Sequence, residues 1–506
     1  MSIMLLTVPT SYDNTIDVSQ YPGVVRGEGL SDDARIENGI AIQGAINAAA
    51  QQQKFLVVPP GIYEFHLPGG LIVDSEGFTW MGSRNTVLVQ FAVNSPVITL
   101  GKIVSNSDGP LAMNIDGLTA RYGVDQTGQV NANAIVMASS WISSYSRLYA
   151  GYKASAKYFS PYRSIYFNGN GTDKFWFSNS LRDSLFGHAQ YQIWRHNLLS
   201  TGCLYENIYI GGGAPNITPY PTSVVSFSEG GGRGQGSIFN QFNIEWCSGN
   251  CLLELNNCRQ YVFNSLHIEG CKVTGDLAGF VYLNLSEVSI NGFDLENCQV
   301  KSSDISYGTP RVIKSYSQSK AVINSMRLGW LTVAGSDTNV DRSFSLYEPG
   351  SDGDSSGARC IINNFYFEGG GSYGTIGSIT TGNTPYPTGG NFTFDGNESY
   401  FSNAYYRNID TDLTIYGSCR NPAVKYAAAL TTNRTLVLSG KKGSTGWKAN
   451  TPIDVGSTVY LYRQSGTAAN TVTVKNLTSD GTTLVINDTA NTEYRFRFDG
   501  ANWSLL

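Results

Sequence analysis

The sequence predicts an all-β solenoid, a parallel β-helix, with one capping helix near its start and a small β-domain at its end. Three observations predict it. The first is composition. The 506 residues include 56 Gly, 30 Tyr, 23 Phe and 8 Trp, and only 14% are charged. That is the texture of a long β protein, and few charges with many aromatics exclude a disordered chain. The second is a returning phrase: NQFNIEWC at 240–247, NSLHIEGC at 264–271, NGFDLENC at 291–298, NSMRLGWL at 324–331 and NNFYFEGG at 363–370. Its Asn markers are spaced by 24, 27, 33 and 39 residues. ENIYIGGG at 206–213 fits the same frame, with Glu206 in the Asn place. A period in the twenties, lengthened by insertions, marks a solenoid. The third is alternation. Phe242 and Ile244, Leu266 and Ile268, Phe293 and Leu295, Met326 and Leu328, and Phe365 and Phe367 keep a period of two, which means strands.

The elements come in order along the chain. Residues 1–23 read as a tether. Residues 24–69 hold the capping helix and the first strands. In SDDARIENGIAIQGAINAAAQQ, Ser31, Asp32 or Asp33 can cap a helix, and Ile36, Ile40, Ala41, Ala45 and Ala49 fall on one rough stripe. KFLVVPPGIYEF then gives a strand, a Pro-Pro-Gly turn and a second strand. Residues 70–400 read as the β-helix, with the Asn marker at a bend where its side chain bonds along the stack. From about 391 the texture turns Thr-rich with hairpin-like turns, and 410–506 reads as a separate C-terminal β-domain.

A net charge of −5 gives no basic footprint for nucleic acid. The N-terminal apolar patch is too short to span a membrane, and it lacks the basic residues of a signal peptide. Cys247, Cys271 and Cys298 recur at one repeat position and read as a buried thiol column. No cysteine or histidine spacing calls for a metal, and no cofactor motif stands out.

The stretch VVRGEG…DDARIENGIAIQGAINAAAQ…KFLVVPPGIYEF resembles the opening of the pectate-lyase-like right-handed β-helix superfamily. Gly27 and Gly29, Asp32 and Asp33, Ala41-Ile42-Gln43 with Ala45-Ile46, and Val57 to Tyr63 carry the likeness. In architecture the whole chain is similar to bacteriophage tailspike depolymerases. That resemblance implies a right-handed coil and a homotrimer on a virion tail, attached to another tail protein through its N-terminus, with the C-terminal β-domain 410–506 serving trimerisation or carbohydrate binding. It also implies a bacterial surface polysaccharide, capsule or O-antigen, as substrate.

Alternation then sorts the repeat by direction. With Phe242 and Ile244 inward, one outward column holds Asn243, His267, Asp294, Arg327 and Tyr366. The other holds Glu245, Glu269, Glu296, Gly329 and Glu368. Neighbouring strands lie roughly 4.8 Å apart. Glycosidase carboxyl pairs sit at roughly 5–5.5 Å for retention and roughly 6.5–9.5 Å for inversion, so the column can supply either. Like charges at such spacing disfavour joint ionisation, the asymmetry that acid–base catalysis needs. Glu245, Glu269, Asp294 and Glu296 are therefore the candidate catalytic carboxylates. His267, Arg327, Tyr366, Glu368 and Arg233, at the tip of EGGGRGQGS, are candidate substrate contacts. Gly329 reads as a gap where a sugar ring enters, and Trp246 as an inward core residue. The leading expectation is a glycoside hydrolase. A polysaccharide lyase using His267 or Tyr366 with Arg327, and a glycan-binding spike that does not cleave, are the alternatives.

Overall fold

The computed structural model describes residues 14–103, 109–151, 157–169, 175–212, 223–228, 234–274, 279–301, 311–316, 318–329, 332–334, 345–349, 359–368, 378–381, 384–387, 393–394, 400–402, 405–409, 413–415, 419–426, 430, 432–441, 452–463, 470–476, 483–486 and 492–506. The chain divides into two compact units, Met1–Ile208 with Gly230–Gly232, and Tyr209–Glu229 with Arg233–Leu506. Both are parallel β-helices. No helix among the described residues is long and apolar enough to cross a membrane.

The first unit opens with Thr15–Asp17, which pairs in parallel with Phe55–Val57. Part of the expected tether is thus the first rung of the stack. The helix α1 (Asp32–Gln51) is capped by Ser31, whose side chain accepts from the Ala34 N–H at 3.3 Å. Its buried face is Asn38, Gly39, Ala41, Ile42, Ala45, Ile46 and Ala49. Ile36 and Ile40 are exposed, contrary to the expected stripe. The reason is angular: residues 38, 41, 42, 45 and 49 define one side of the wheel, and 36 and 40 lie opposite. Asn38 fixes the helix to the coil, bonding Val25 N–H and C=O and the Glu64 C=O.

Two parallel stacks form walls of this unit. Asn114–Tyr122, Ser144–Ala150 and Ser180–Gly187 make one. Asn133–Met137, Arg163–Phe167 and Gln192–His196 make another. The interior is aromatic, with Trp80, Trp176, Trp194, Tyr63, Tyr122, Tyr145 and Tyr205 fully buried. His196 lies among them, stacked on Phe167 at 4.1 Å, with its Nε2 3.2 Å from the Tyr205 hydroxyl.

In the second unit the repeat forms successive coils. Strands β1 (Ile238–Glu245), β2 (Leu266–Glu269), β3 (Phe293–Glu296), β4 (Met326–Gly329) and β5 (Phe365–Glu368) pair in parallel, each repeat position meeting its own copy. Phe242, Ile244, Leu266, Ile268, Phe293, Leu295, Met326 and Leu328 are all at most 2% exposed. Each such burial contributes about 1.5–3 kcal/mol. The Asn markers form a ladder. Asn264 donates to Asn240 at 2.6 Å, Asn291 to Asn264 at 2.8 Å, Asn324 to Asn291 at 2.7 Å and Asn363 to Asn324 at 3.3 Å. Cys247, Cys271 and Cys298 are free and buried, and the Cys247 N–H points to the Cys271 sulfur at 3.4 Å.

The expected boundary near 410 is not where the stacking ends. Phe365–Glu368, Tyr405–Ile409, Ala423–Tyr426 and Thr458–Arg463 continue the parallel pairing in sequence. Antiparallel strands come next, with Thr492–Phe498 and Trp503–Leu505, and with Thr483–Ile486 on a neighbouring sheet. Parallel and antiparallel strands share the period of two, so the change in texture at 391 does not locate the change in pairing.

These packings set two expectations for stability. Burial pushes His196 down to about 3 from its usual 6.5. The unfolded chain takes up a proton that the fold refuses, so stability is full above pH ~6.5 and falls as pH drops from there towards ~3, by about 1.4 kcal/mol per pH unit. Urea unfolding between pH 7.5 and 5 should show this slope, and His196→Phe should flatten it. Asn291→Ala removes two ladder bonds and should cost about 1 kcal/mol, read as a lower urea midpoint at unchanged m-value.

Candidate active site

The outward columns stand as register dictates. Asn243, His267, Asp294, Arg327 and Tyr366 pair in one line, and Glu245, Glu269, Glu296, Gly329 and Glu368 in the other. Glu245, His267, Glu269, Asp294, Glu296, Arg327 and Tyr366 are all half-buried. The side chain of Glu368 and the whole of Arg233 lie outside the described residues.

The side chains form one connected network. His267 is held between two acids, Nδ1 at 3.2 Å from Asp294 Oδ2 and Nε2 at 3.3 Å from Glu269 Oε2. Arg327 Nη1 donates to both Asp294 oxygens at 3.0 and 3.2 Å and to Glu296 Oε2 at 2.8 Å. Glu296, joined by Asp294, pushes the Arg327 guanidinium still further up, so it stays charged at any working pH. The carboxylates are therefore not a bare column of like charges: His267 lies between two of them and Arg327 joins two.

The expected gap at Gly329 is closed. A Cβ placed there would lie 3.5 Å from Arg327 Nη2 and 3.9 Å from Glu296 Cγ. The guanidinium of its own coil lies beside Gly329, in the space expected for a sugar.

At the other end Glu245 is met by a residue outside the candidate set. The Tyr209 hydroxyl donates to Glu245 Oε2 at 2.9 Å. Burial, and then Glu245 itself, push the Tyr209 phenol up, so it remains a donor. A signal for it exists in the sequence: carrying the repeat frame back to ENIYIGGG puts Tyr209 at the position of Asn243.

Trp246 is the second residue that sequence reasoning misplaces. It is 53% exposed rather than inward. Its φ of 54° is left-handed, as are those of Gly270 at 61° and Asn297 at 51° on the following coils. Alternation ends at this bend, so the indole turns outward beside Glu245. It rests on Gly270, where a Cβ would come within 2.7 Å of the ring. A bulky residue in this region stores of order 1–3 kcal/mol of strain, and such positions gather at functional sites.

Oxygens of Glu245 and Glu269 and a nitrogen of His267 all lie within 4.8 Å of one another. The two carboxylates thus approach more closely than the roughly 6.5–9.5 Å of inverting glycosidase pairs. The same three groups have the donor types that could hold a metal ion, with Asp294 behind the imidazole as an orienting acceptor.

No protein-family model matches the chain, and no curated protein sequence does. Solved structures similar to it include phage tailspikes and carbohydrate-active enzymes. The DFA-IIIase of Arthrobacter chlorophenolicus A6 is 10% identical over 69% of this chain and 93% of that one, with a TM-score of 0.43. The tailspike of Acinetobacter phage vb_AbaP_AS12 is 9% identical over 99% of this chain and 83% of that one, with a TM-score of 0.37. The surface adhesin PfbA of Streptococcus pneumoniae is 10% identical over 97% of this chain and 98% of that one, with a TM-score of 0.36. Likeness this distant leaves function to be argued from the site.

Proposed function

We propose that the chain is a phage tailspike depolymerase that hydrolyses glycosidic bonds of a bacterial surface polysaccharide, working as a homotrimer on the virion tail. The observation that carries the hydrolytic reading is the close approach of the Glu245 and Glu269 carboxylates on adjacent coils, each held by a different partner. Tyr209 donates to Glu245 and fixes the direction of its carboxylate. Glu245 is then the nucleophile. Glu269 faces the His267 ring nitrogen opposite the one on Asp294. The ring can carry its proton on either nitrogen, and a proton at Nε2 joins it to Glu269. That proton is the one Glu269 delivers to the leaving oxygen, and the spacing favours retention. Trp246 offers an exposed ring beside the pair on which a sugar can stack. Asp294, Glu296 and Arg327 hold His267 in place.

The lyase reading needs a cation free to neutralise a uronate carboxylate. Arg327 already spans Asp294 and Glu296, which weighs against it. A metal-dependent reading would use Glu245, His267 and Glu269 as ligands.

Glu245→Gln and Glu269→Gln should each lower the depolymerisation rate roughly 10²–10⁴-fold while oligosaccharide binding persists. Chelator should leave the wild-type rate unchanged, and products should carry reducing ends without the ultraviolet band of unsaturated uronates. That band would move the assignment to a lyase, and loss of activity with chelator would move it to a metal enzyme. Trp246→Ala should raise KM about 3- to 10-fold with little change in kcat. An equal fall in kcat at constant KM would remove the indole from ground-state sugar binding.

A further inference from the structure

The first unit carries a second cluster that neither the fold nor the proposed hydrolysis requires. Tyr162 and Tyr191, one coil apart, stack with centroids 5.0 Å apart and planes within 7°. The Tyr191 N–H donates to the Tyr162 C=O at 3.0 Å, so the backbone locks this pairing. The Arg163 guanidinium lies 4.8 Å from the Tyr162 ring centre, 5.1 Å from Tyr166 and 5.6 Å from Tyr191. On the next coil Arg195 pairs with Tyr166.

Arg163 differs from the arginines that pair with acids. Its Nη1 donates to the Val130 C=O at 3.3 Å and to Asn133 Oδ1 at 3.2 Å, and its buried Nε has no acceptor among the described residues. Among those residues it also meets no carboxylate, whereas Arg35, Arg147, Arg182 and Arg327 each do. Burial pushes its guanidinium down, and the charge of Arg195 pushes the same way. Two like charges at a half-buried surface, over rings and without an acid at Arg163, leave a partly desolvated cation whose natural complement is an anion. The tyrosine rings and hydroxyls give that anion a flat, hydrogen-bonding body to lie on. An inorganic ion has no use for such rings, and a carboxylated pyranose matches both parts.

We infer that Tyr162, Arg163, Tyr166, Tyr191 and Arg195 form a subsite for an acidic sugar residue, the uronate carboxylate meeting Arg163 and Arg195 and the ring lying against the tyrosines. The inference rests on the polysaccharide-acting reading and adds the substrate class: an anionic glycan, gripped at a place other than the carboxylate pair.

The test is calorimetric binding of oligosaccharides containing glucuronate, galacturonate or mannuronate, each beside its carboxyl-reduced counterpart with the same linkages. The protein carries Glu269→Gln so that nothing is cleaved. At least one acidic oligosaccharide should bind about tenfold or more tightly than its reduced form. Arg163→Gln and Arg195→Gln should each erase that preference, and Tyr191→Ala should weaken both forms together. Arg195→Gln keeps the test open should the Arg163 variant fail to fold. Equal binding of acidic and reduced forms, or binding of none of the three, overturns the subsite. So does a preference untouched by the Arg195 variant and by a folded Arg163 variant, which would leave Arg163 as a staple between coils. Loss of hydrolysis in Glu269→Gln is read separately, so either conclusion can fall without the other.

Discussion

In-register parallel stacking is the constraint on which the second unit depends. Each repeat position meets its own copy about 4.8 Å away, so whatever one coil places inward or outward becomes a column. Apolar columns make the core, asparagine makes a ladder at the bend, and cysteine fills a dry seam. These columns want identity, because like packs on like. A glutamate column does not, since identity there means stacked charge.

The site is what results when an outward charged column is made tolerable by variation in its neighbour. The second column changes residue on every coil, and the changes are complementary. Histidine stands between Glu269 and Asp294, arginine joins Asp294 to Glu296, and its guanidinium lies beside Gly329. The network is thereby divided. Its Arg327 end is a neutralised strut. Its Glu245 end is met by a phenol and shares an imidazole, groups that direct protons without cancelling charge as a guanidinium does. The proposed chemistry belongs at the end that is not neutralised.

Much of this is legible in the sequence because a period of two fixes direction and a repeat fixes register. The core pairs, the asparagine ladder, the thiol column and both outward columns need nothing more. What escapes lies where the backbone leaves the strand. Trp246 comes after an outward glutamate, and alternation alone turns it inward; a left-handed φ at the bend reverses it. The bend is visible as Gly270 and Asn297 at the same repeat position, residues that favour positive φ. Tyr209 escapes when the frame is applied only forward from 240, although ENIYIGGG extends it back by one coil. The Gly329 gap is misleading because a missing side chain is not empty space: the long side chain two residues earlier on its own strand is close enough to cover it. The end of parallel stacking is not legible, since pairing direction leaves no mark on alternation.

The two arginine environments show how such a scaffold separates fold from recognition. Arg327 and Arg163 both project from coil strands and are both partly buried, yet one is saturated by carboxylates and the other is surrounded by rings and a like charge. A cation added only to offset a stacked acid is placed beside that acid, as Arg327 is. A cation placed where no acid needs it has no such electrostatic role, and its burial remains incompletely compensated in the free protein. The hydrophobic columns bear the stability of each coil, so outward residues can drift with little penalty. An arginine held in place against a desolvation cost is therefore better explained by what binds to it than by what it holds up.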